Sequence, residues 1–421
     1  MIRDSLLINL GHNPTPIVPE YYFSVFERVV HICPAAVENS VVSISQNEIV
    51  VRASACPFDV GFHLQRLGMH AGKIFVELAV QSGISYPGFS APSNAVLMGR
   101  VCDLHHLSDP LTSLLADIAQ YSFSCLIFSS CPHYIPLFSS ILPCFFLPSD
   151  VPLSVWSVQP LHEWIQRPTP FKLDGSLISR FHPRRSVLFN QMLTTGSNKC
   201  IIAGNLSRGS WLSALGQSQV VIQHGLNGNA HPPFFSALSR GALPLIDSSS
   251  GYTLKAALGN STQLLTYSTV DDLCQLLDED PHALWRKSNV YDLIHYTRSV
   301  LLSTFSSWRD FLADKPYSPR SLGHKRLYLL RTTLHVLQAV QEVIRRCGYS
   351  VNYRPIELAF PAYGAALNAG YPSHLMELIS QWPRELVRVW SACDLVLKDS
   401  PEALGANPNP SSMTLSGFLP H

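Results

Sequence analysis

The 421-residue chain is long enough for two or three domains, and 46% hydrophobic against 14% charged residues provides large cores rather than disorder. Thirty basic and 29 acidic side chains leave a net charge of +1, which argues against partners held by strong fields, such as nucleic acid or an anionic membrane. Ten cysteines are scattered without a CxxC pair. That pattern argues against a zinc ribbon and for reduced, buried thiols in a cytoplasmic protein.

The first 12 residues carry too short an apolar run for a signal peptide and read as an opening strand over 6–10. Residues 41–44 and 48–53 read as further strands, and 62–67 and 111–121 have apolar residues at helical spacing. Ser108-Asp-Pro-Leu is a helix start with the acid and the proline in the favoured order. Residues 118–149 contain no Asp, Glu, Lys or Arg and could cover a bilayer in length. Pro132, Pro136 and Pro143 argue against a spanning helix. Two buried strands, 125–130 and 144–148, are expected there instead, and no membrane span. Strand following helix predicts a parallel sheet.

Pro152, Pro160, Pro168 and Pro170 mark 151–170 as a crossing between domains. Beyond it the alternation sharpens. Strands are expected at 171–174, 199–203, 219–223, 242–246 and 264–267. Helices are expected at 183–193, 209–215, 233–240 (ending at Gly241), 251–258 and from 270, where Ser268 or Thr269 caps and Asp271 and Asp272 meet the positive dipole end. This is a βαβ series on the scale of one nucleotide-binding domain. From 321 the pattern becomes helical, over 326–347, 356–369, 373–382 and 384–397. Residues 400–421 have little core material and read as a disordered tail.

The stretch His231-Pro-Pro-Phe-Phe-Ser-Ala-Leu-Ser-Arg-Gly-Ala-Leu-Pro-Leu-Ile-Asp247 resembles a motif of spore-maturation-type glycosyltransferase-like proteins, Asn-Pro-Arg-x-Phe-Glu-Ala-x-Ala-Cys-Gly-Ala-x-x-x-x-Asp. The likeness continues through Leu264-Leu-Thr-Tyr-Ser-Thr-Val-Asp-Asp-Leu-Cys274 and covers about a third of the chain, residues 171–310. It implies the GT-B architecture: an α/β protein of two Rossmann-like domains. The acceptor domain would span 1–165 and the nucleotide-sugar domain 166–315, with a small helical extension over 316–399 and the tail from 400. It also implies transfer of a sugar from a nucleoside diphosphate donor, UDP-type, to a hydroxyl of a glycan, protein or small molecule. No bound metal and no separate cofactor are implied, because amides at helix N-termini and basic side chains carry the diphosphate charge. The sequence departs from the motif at three positions: His231 for Asn, Pro233 for Arg and Ser236 for Glu. That Glu grips the donor ribose, and serine cannot make a charged bidentate contact. A catalytically degenerate binding or scaffolding protein on the same fold is therefore the alternative reading, and a phosphate-releasing or epimerising enzyme a third.

Within that frame Gly175 and Ser176 form a turn where a phosphate could meet backbone amides, with Arg180 and Arg185 beside it to neutralise charge. The opposing reading makes these arginines solvated helix-face residues. His224 and Asn227 lie in a glycine-rich loop following a buried strand, either lining the donor or forming an ordinary turn. Ser236 occupies the family's ribose-binding position. Asp247 and Ser248 begin a polar turn that either contacts the donor or caps the next helix. For the acceptor base, His12 follows the first strand, with Asp109 and His133 as alternatives. His105 and His106 with Asp103 and Asp109 resemble a metal cluster, but adjacent histidines on one loop seldom share an ion. The helical extension would brace the domains or recruit a protein partner.

Overall fold

The computed structural model describes residues 1–11, 19, 21–34, 40–54, 58–80, 86–101, 114, 117–118, 120–130, 132, 135–139, 142–149, 156, 160–174, 200–203, 208–223, 232–259 and 262–314. In chain order the first sheet region contains β1 (Ile2–Leu10), α1 (Tyr22–Val25), β2 (Phe26–Pro34), β3 (Ser40–Ser45), β4 (Glu48–Ala53), α2 (Val60–Leu67), β5 (Lys73–Val80), β6 (Val96–Val101), β7 (Cys125–Phe128), α3 (Ile135–Phe138) and β8 (Cys144–Phe146). The second contains α4 (Leu161–Ile165), β9 (Thr169–Asp174), β10 (Cys200–Ala203), α5 (Arg208–Gly216), β11 (Ser218–Gln223), α6 (Pro232–Ser239), β12 (Leu243–Asp247), α7 (Ser248–Leu258), β13 (Leu265–Tyr267), α8 (Val270–Asp278), α9 (Pro281–Ser288) and α10 (Val290–Asp314).

Eight strands form one sheet, ordered β3-β4-β2-β1-β5-β6-β7-β8, and five form another, ordered β10-β9-β11-β12-β13. Every neighbouring pair is parallel except β3 with β4. This is the parallel α/β architecture expected from strand-helix alternation. Its central strands are buried along most of their length, as strands covered on both faces are. All four residues of β7 and all six of β11 are buried. The antiparallel exception is a two-residue hairpin, with Gln46 and Asn47 between β3 and β4.

Local signals set the helix ends. Asp59 caps α2 by accepting from the Phe62 amide, and Gly68 closes it in the left-handed conformation at φ 61°. Thr269 and Asp272 make a reciprocal capping box on α8, choosing between the two caps the sequence offered. Several boundaries differ from expectation by two to four residues, β1 beginning at Ile2 and β9 at Thr169, and one further shift has a visible cause. Residues 248–250 belong to the first turn of α7 rather than to a free turn, because the Asp247 carboxylate accepts from the Ser250 amide and starts the helix three residues ahead of Gly251.

The longest helix links the two sheets. α10 has 25 residues, about 37 Å of rise. Leu293, Ile294 and Leu301 join the core that includes the second sheet. Phe305, Trp308 and Leu312 join a core on the first sheet with Leu7, Tyr22, Phe26, Phe75 and Met98. Trp308 is fully buried, with ring centroids 5.8 Å from Tyr22 and 6.0 Å from Phe26. Among the described residues no helix is long and apolar enough to cross a membrane, and 125–128 and 144–146 are strands of the first sheet, as read from the sequence. The stretches 183–193 and 316–421 lie outside the described residues.

Candidate functional site

The topology picks out one crevice in each sheet. From β1 the chain moves to β2 on one side, and it later returns to place β5 on the other. From β9 it moves to β10 on one side and then crosses to β11 on the other. Connections that diverge from neighbouring strands open a crevice outside their carboxyl ends, where α/β sheets gather ligands. In the first sheet these ends are Leu10 and Val80, and in the second they are Asp174 and Gln223. His12 follows the first crevice by two residues, and Gly175 and Ser176 follow the second directly.

The rims of the two sheets meet. Phe146, the last residue of β8, packs its ring 5.6 Å from that of Phe235 in the first turn of α6. Phe145 packs 5.6 Å from Phe311 of α10. The ring of Trp164 in α4 lies 4.4 Å from that of Trp285 in α9, so α4 is tied to the second sheet's helices.

Beneath the rim of the first sheet lies a buried polar network that the sequence reading passed over. Glu77 of β5 is 1% exposed and Arg100 of β6 is 6% exposed. Arg100 Nε donates to Glu77 Oε1 at 3.0 Å, and Asn9 Nδ2 donates to the same oxygen at 2.8 Å. Tyr22 donates to Glu77 Oε2, and Arg100 Nη2 reaches both the Tyr22 and Tyr21 hydroxyls. Burial holds the Tyr22 hydroxyl protonated, its pKa well above the usual value. The Tyr21 hydroxyl donates to the Leu147 carbonyl at 3.3 Å, fixing the exit of β8. The network braces the rim. The sequence did carry a signal for it, since charged residues within strands as apolar as Phe-Val-Glu-Leu-Ala-Val need buried partners.

Next along the same row, His31 of β2 is fully buried and stands opposite Asn9. Its Nε2 lies 3.1 Å from Glu48 Oε1. Burial lowers the imidazole pKa to about 4 and raises that of Glu48. Both shifts disfavour the charged forms, so the contact is a hydrogen bond of a neutral imidazole rather than an ion pair.

The carboxyl rim of the second sheet holds Gln223, Asp247, Ser248 and Tyr267. Asp247 is buried, and besides the Ser250 amide it accepts the Ser250 hydroxyl at 2.7 Å. Ser248 is exposed, and its hydroxyl accepts from Ser268 at 3.2 Å, joining α7 to the end of β13. The Tyr267 hydroxyl reaches across β12 to the Gln223 carbonyl at 3.1 Å. The Asp272 carboxylate accepts from the Ser268 and Thr269 amides. α7 and α8 thus spend their own carboxylates on the amides at their starts. Ser236 is fully buried in α6, and Ser239 donates to its carbonyl at 2.9 Å. Its side chain therefore faces packed protein rather than solvent.

His12, Asp109, His133, Gly175, Ser176, Arg180, Arg185, His224 and Asn227 lie outside the described residues, as does the 103–109 cluster. The fold therefore fixes the chain positions these residues follow and not their side-chain geometry. Among the described residues there is no group of three or more His, Cys, Asp or Glu side chains placed to hold a metal ion. Among the described residues Cys33, Cys125, Cys144 and Cys274 form no disulfide.

No protein-family pattern matches the chain, and no curated protein matches it in sequence. Solved structures resemble it in shape. A sucrose-phosphate synthase from Thermosynechococcus elongatus superposes with a TM-score of 0.48 at 11% identity, over 74% of this chain and 100% of that one. A trehalose-6-phosphate structure from E. coli, bound with UDP-2-fluoro glucose, gives 0.45 at 8% identity, over 74% and 99%. An α,α-trehalose-phosphate synthase (UDP-forming) from Burkholderia vietnamiensis gives 0.39 at 8%, over 73% and 99%. Likenesses this distant carry no argument about activity, which has to rest on this chain's own residues.

Proposed function

We propose that the chain is a nucleotide-sugar-dependent glycosyltransferase of GT-B architecture, acting without a bound metal. The donor would sit on the rim of the second sheet and the acceptor hydroxyl on that of the first. The observation that carries this reading is the pair of parallel sheets, each with a crevice at its own point of strand divergence, whose carboxyl rims touch at Phe146 and Phe235. Paired crevices suit a reaction that joins two substrates. The resemblance of 231–247 to the glycosyltransferase motif supports the same reading.

In this scheme the Gly175–Ser176 turn, Arg180 and Arg185 receive the diphosphate. That assignment fits the described helix starts, because α7 and α8 already carry carboxylates there and a phosphate would meet like charge. His224, Asn227 and Ser248 line the donor, and Asp247 holds the α7 start in place beside it. His12, or Asp109, takes the proton of the acceptor hydroxyl as its oxygen attacks the anomeric carbon. The bond from that carbon to the diphosphate oxygen breaks, and the nucleoside diphosphate leaves with the electron pair. The acceptor is a glycan, protein or small molecule.

The burial of Ser236 favours a second reading. The side chain standing where the related motif has its ribose-binding Glu is turned into packed protein, as a scaffold that has lost its donor would tolerate. Calorimetric titration with UDP-glucose and other nucleoside diphosphate sugars, followed by assay for released nucleoside diphosphate, separates the two. The transferase binds one donor and turns it over when an acceptor is supplied. A chain giving neither heat nor product with any donor is the scaffold.

A further inference from the structure

β11 contains two glutamines with opposite fates. Gln219, at the amino end, donates from Nε2 to the Ile165 carbonyl at 2.7 Å and the Arg167 carbonyl at 3.3 Å, so its amide serves the protein. Gln223, at the carboxyl end, is 1% exposed, and neither its Nε2 nor its Oε1 has a hydrogen-bond partner among the described residues. Its main chain pairs with β12 and its carbonyl accepts from the Tyr267 hydroxyl, so only the side chain is left unpaired. Buried polar atoms are nearly always paired, and an orphaned carboxamide needs a reason. Its place supplies one. Ile222 pairs with Leu173, so Gln223 stands opposite Asp174, about 5 Å away by strand spacing, at the strand divergence of the second sheet.

We infer that the Gln223 carboxamide reads the nucleobase of the bound nucleotide, donating from Nε2 and accepting at Oε1 along one planar edge. The inference rests on the nucleotide-binding reading above and adds the part of the ligand that this position takes. Charge decides between base and phosphate. The described residues ending β11, β12 and β13 are Gln223, Asp247 and Tyr267, which include a carboxylate and no cation. An anionic phosphate has nothing to gain there. A neutral heterocycle with a ring N–H beside a carbonyl, as in uracil, presents one acceptor and one donor to a carboxamide. Entering a position that excludes water, it also keeps its stacking surface from solvent. The phosphates are then left to the residues that follow Asp174 in the chain, from Gly175 onward.

The test uses the full chain and Gln223→Met, which keeps the length of the side chain and removes both polar atoms. Calorimetry with UDP, UMP, uridine and inorganic pyrophosphate is paired with thermal unfolding of the free proteins. A bidentate contact corresponds to a loss of roughly 10- to 100-fold in affinity. The expected result is that loss, by the same factor for UDP, UMP and uridine, with pyrophosphate unchanged. The unfolding temperature should stay equal or rise, because an unpaired buried amide has been removed. Equal UDP affinity in the two proteins overturns the inference and leaves the nucleotide site standing. A loss shared by pyrophosphate, or a variant that unfolds, assigns the amide to the protein's own structure and likewise overturns it. If the native chain binds none of uridine, UMP and UDP, the nucleotide reading fails and the inference falls with it.

Discussion

Replacing Arg100 with methionine is the perturbation whose cost follows most directly from the structure. The guanidinium bonds Glu77 Oε1 at 3.0 Å and both the Tyr21 and Tyr22 hydroxyls, and its carbon lies 5.1 Å from the Tyr22 ring centroid. Its 3.5 Å contact with the Leu147 carbonyl is at the limit of a hydrogen bond and adds little. Arg100→Met leaves a carboxylate that is 1% exposed, with Asn9 and Tyr22 as donors and no countercharge from Arg100. Breaking a buried pair by removing one partner costs about 3–5 kcal/mol. For a unit of 150–250 residues that corresponds to roughly 6–20 °C in unfolding temperature. Urea unfolding followed by circular dichroism measures it. Glu77→Met should cost a similar amount by stranding the arginine. The double variant should be more stable than either single one, since apolar side chains of similar volume replace a buried pair at little net cost. A cost below about 1 kcal/mol for Arg100→Met would mean that water reaches the pair, and the rim-bracing role would have to be given up.

Other perturbations test separate parts of the architecture. Trp308→Ala should destabilise by about 3–5 kcal/mol and, if α10 ties the sheets together, should separate their unfolding transitions; an unchanged single transition in a heating scan would rule out that tie. Asp247→Ala removes the cap of α7 and should cost about 1 kcal/mol, while Asp247→Asn should recover most of it, both read by urea denaturation. Gly251→Ala places a Cβ 2.7 Å from Thr266 Cγ2, and overpacking α7 on β13 should cost about 1–3 kcal/mol by the same assay. For His31 the folded pKa of about 4 lies below the ordinary 6.5, so on acidification the unfolded chain takes up the proton first. Its stabilisation is complete above pH 6.5 and declines towards pH 4, by up to about 3 kcal/mol. Glu48, raised by burial, has the opposite sign and returns part of this near the bottom of that window. His31→Gln should flatten the acid limb of the stability profile, and an equally steep limb would clear His31 of responsibility.

The sequence was most informative where one rule acted alone. Short apolar runs closed by glycine or proline gave β9 to β13 within a few residues, and Thr269 with Asp272 marked the start of α8. β2, β5 and β6 escaped notice because Glu27, Arg28, Glu77 and Arg100 interrupt their apolar runs. Glu77 and Arg100 are neutralised by partners up to 79 residues away in the chain, which no local window contains. Asp247 could be read equally as a ligand contact or a cap, and it caps. Ser236 looked like a donor contact by its place in the motif, yet helical phase turns it into the protein. Gln223 reads in the sequence only as the last residue of a strand, since an unpaired amide is visible only once its neighbours are in place.

The central claim is that a nucleotide lies along the carboxyl rim of the second sheet. Amide hydrogen exchange of the full chain, with and without saturating UDP, tests it by location as well as by affinity. Slowed exchange in peptides covering 174–185, 222–231 and 247–251, with the amino-end peptides around 161–168 unchanged, is the predicted result. No protection anywhere, or protection confined to the opposite edge of that sheet, would contradict the claim.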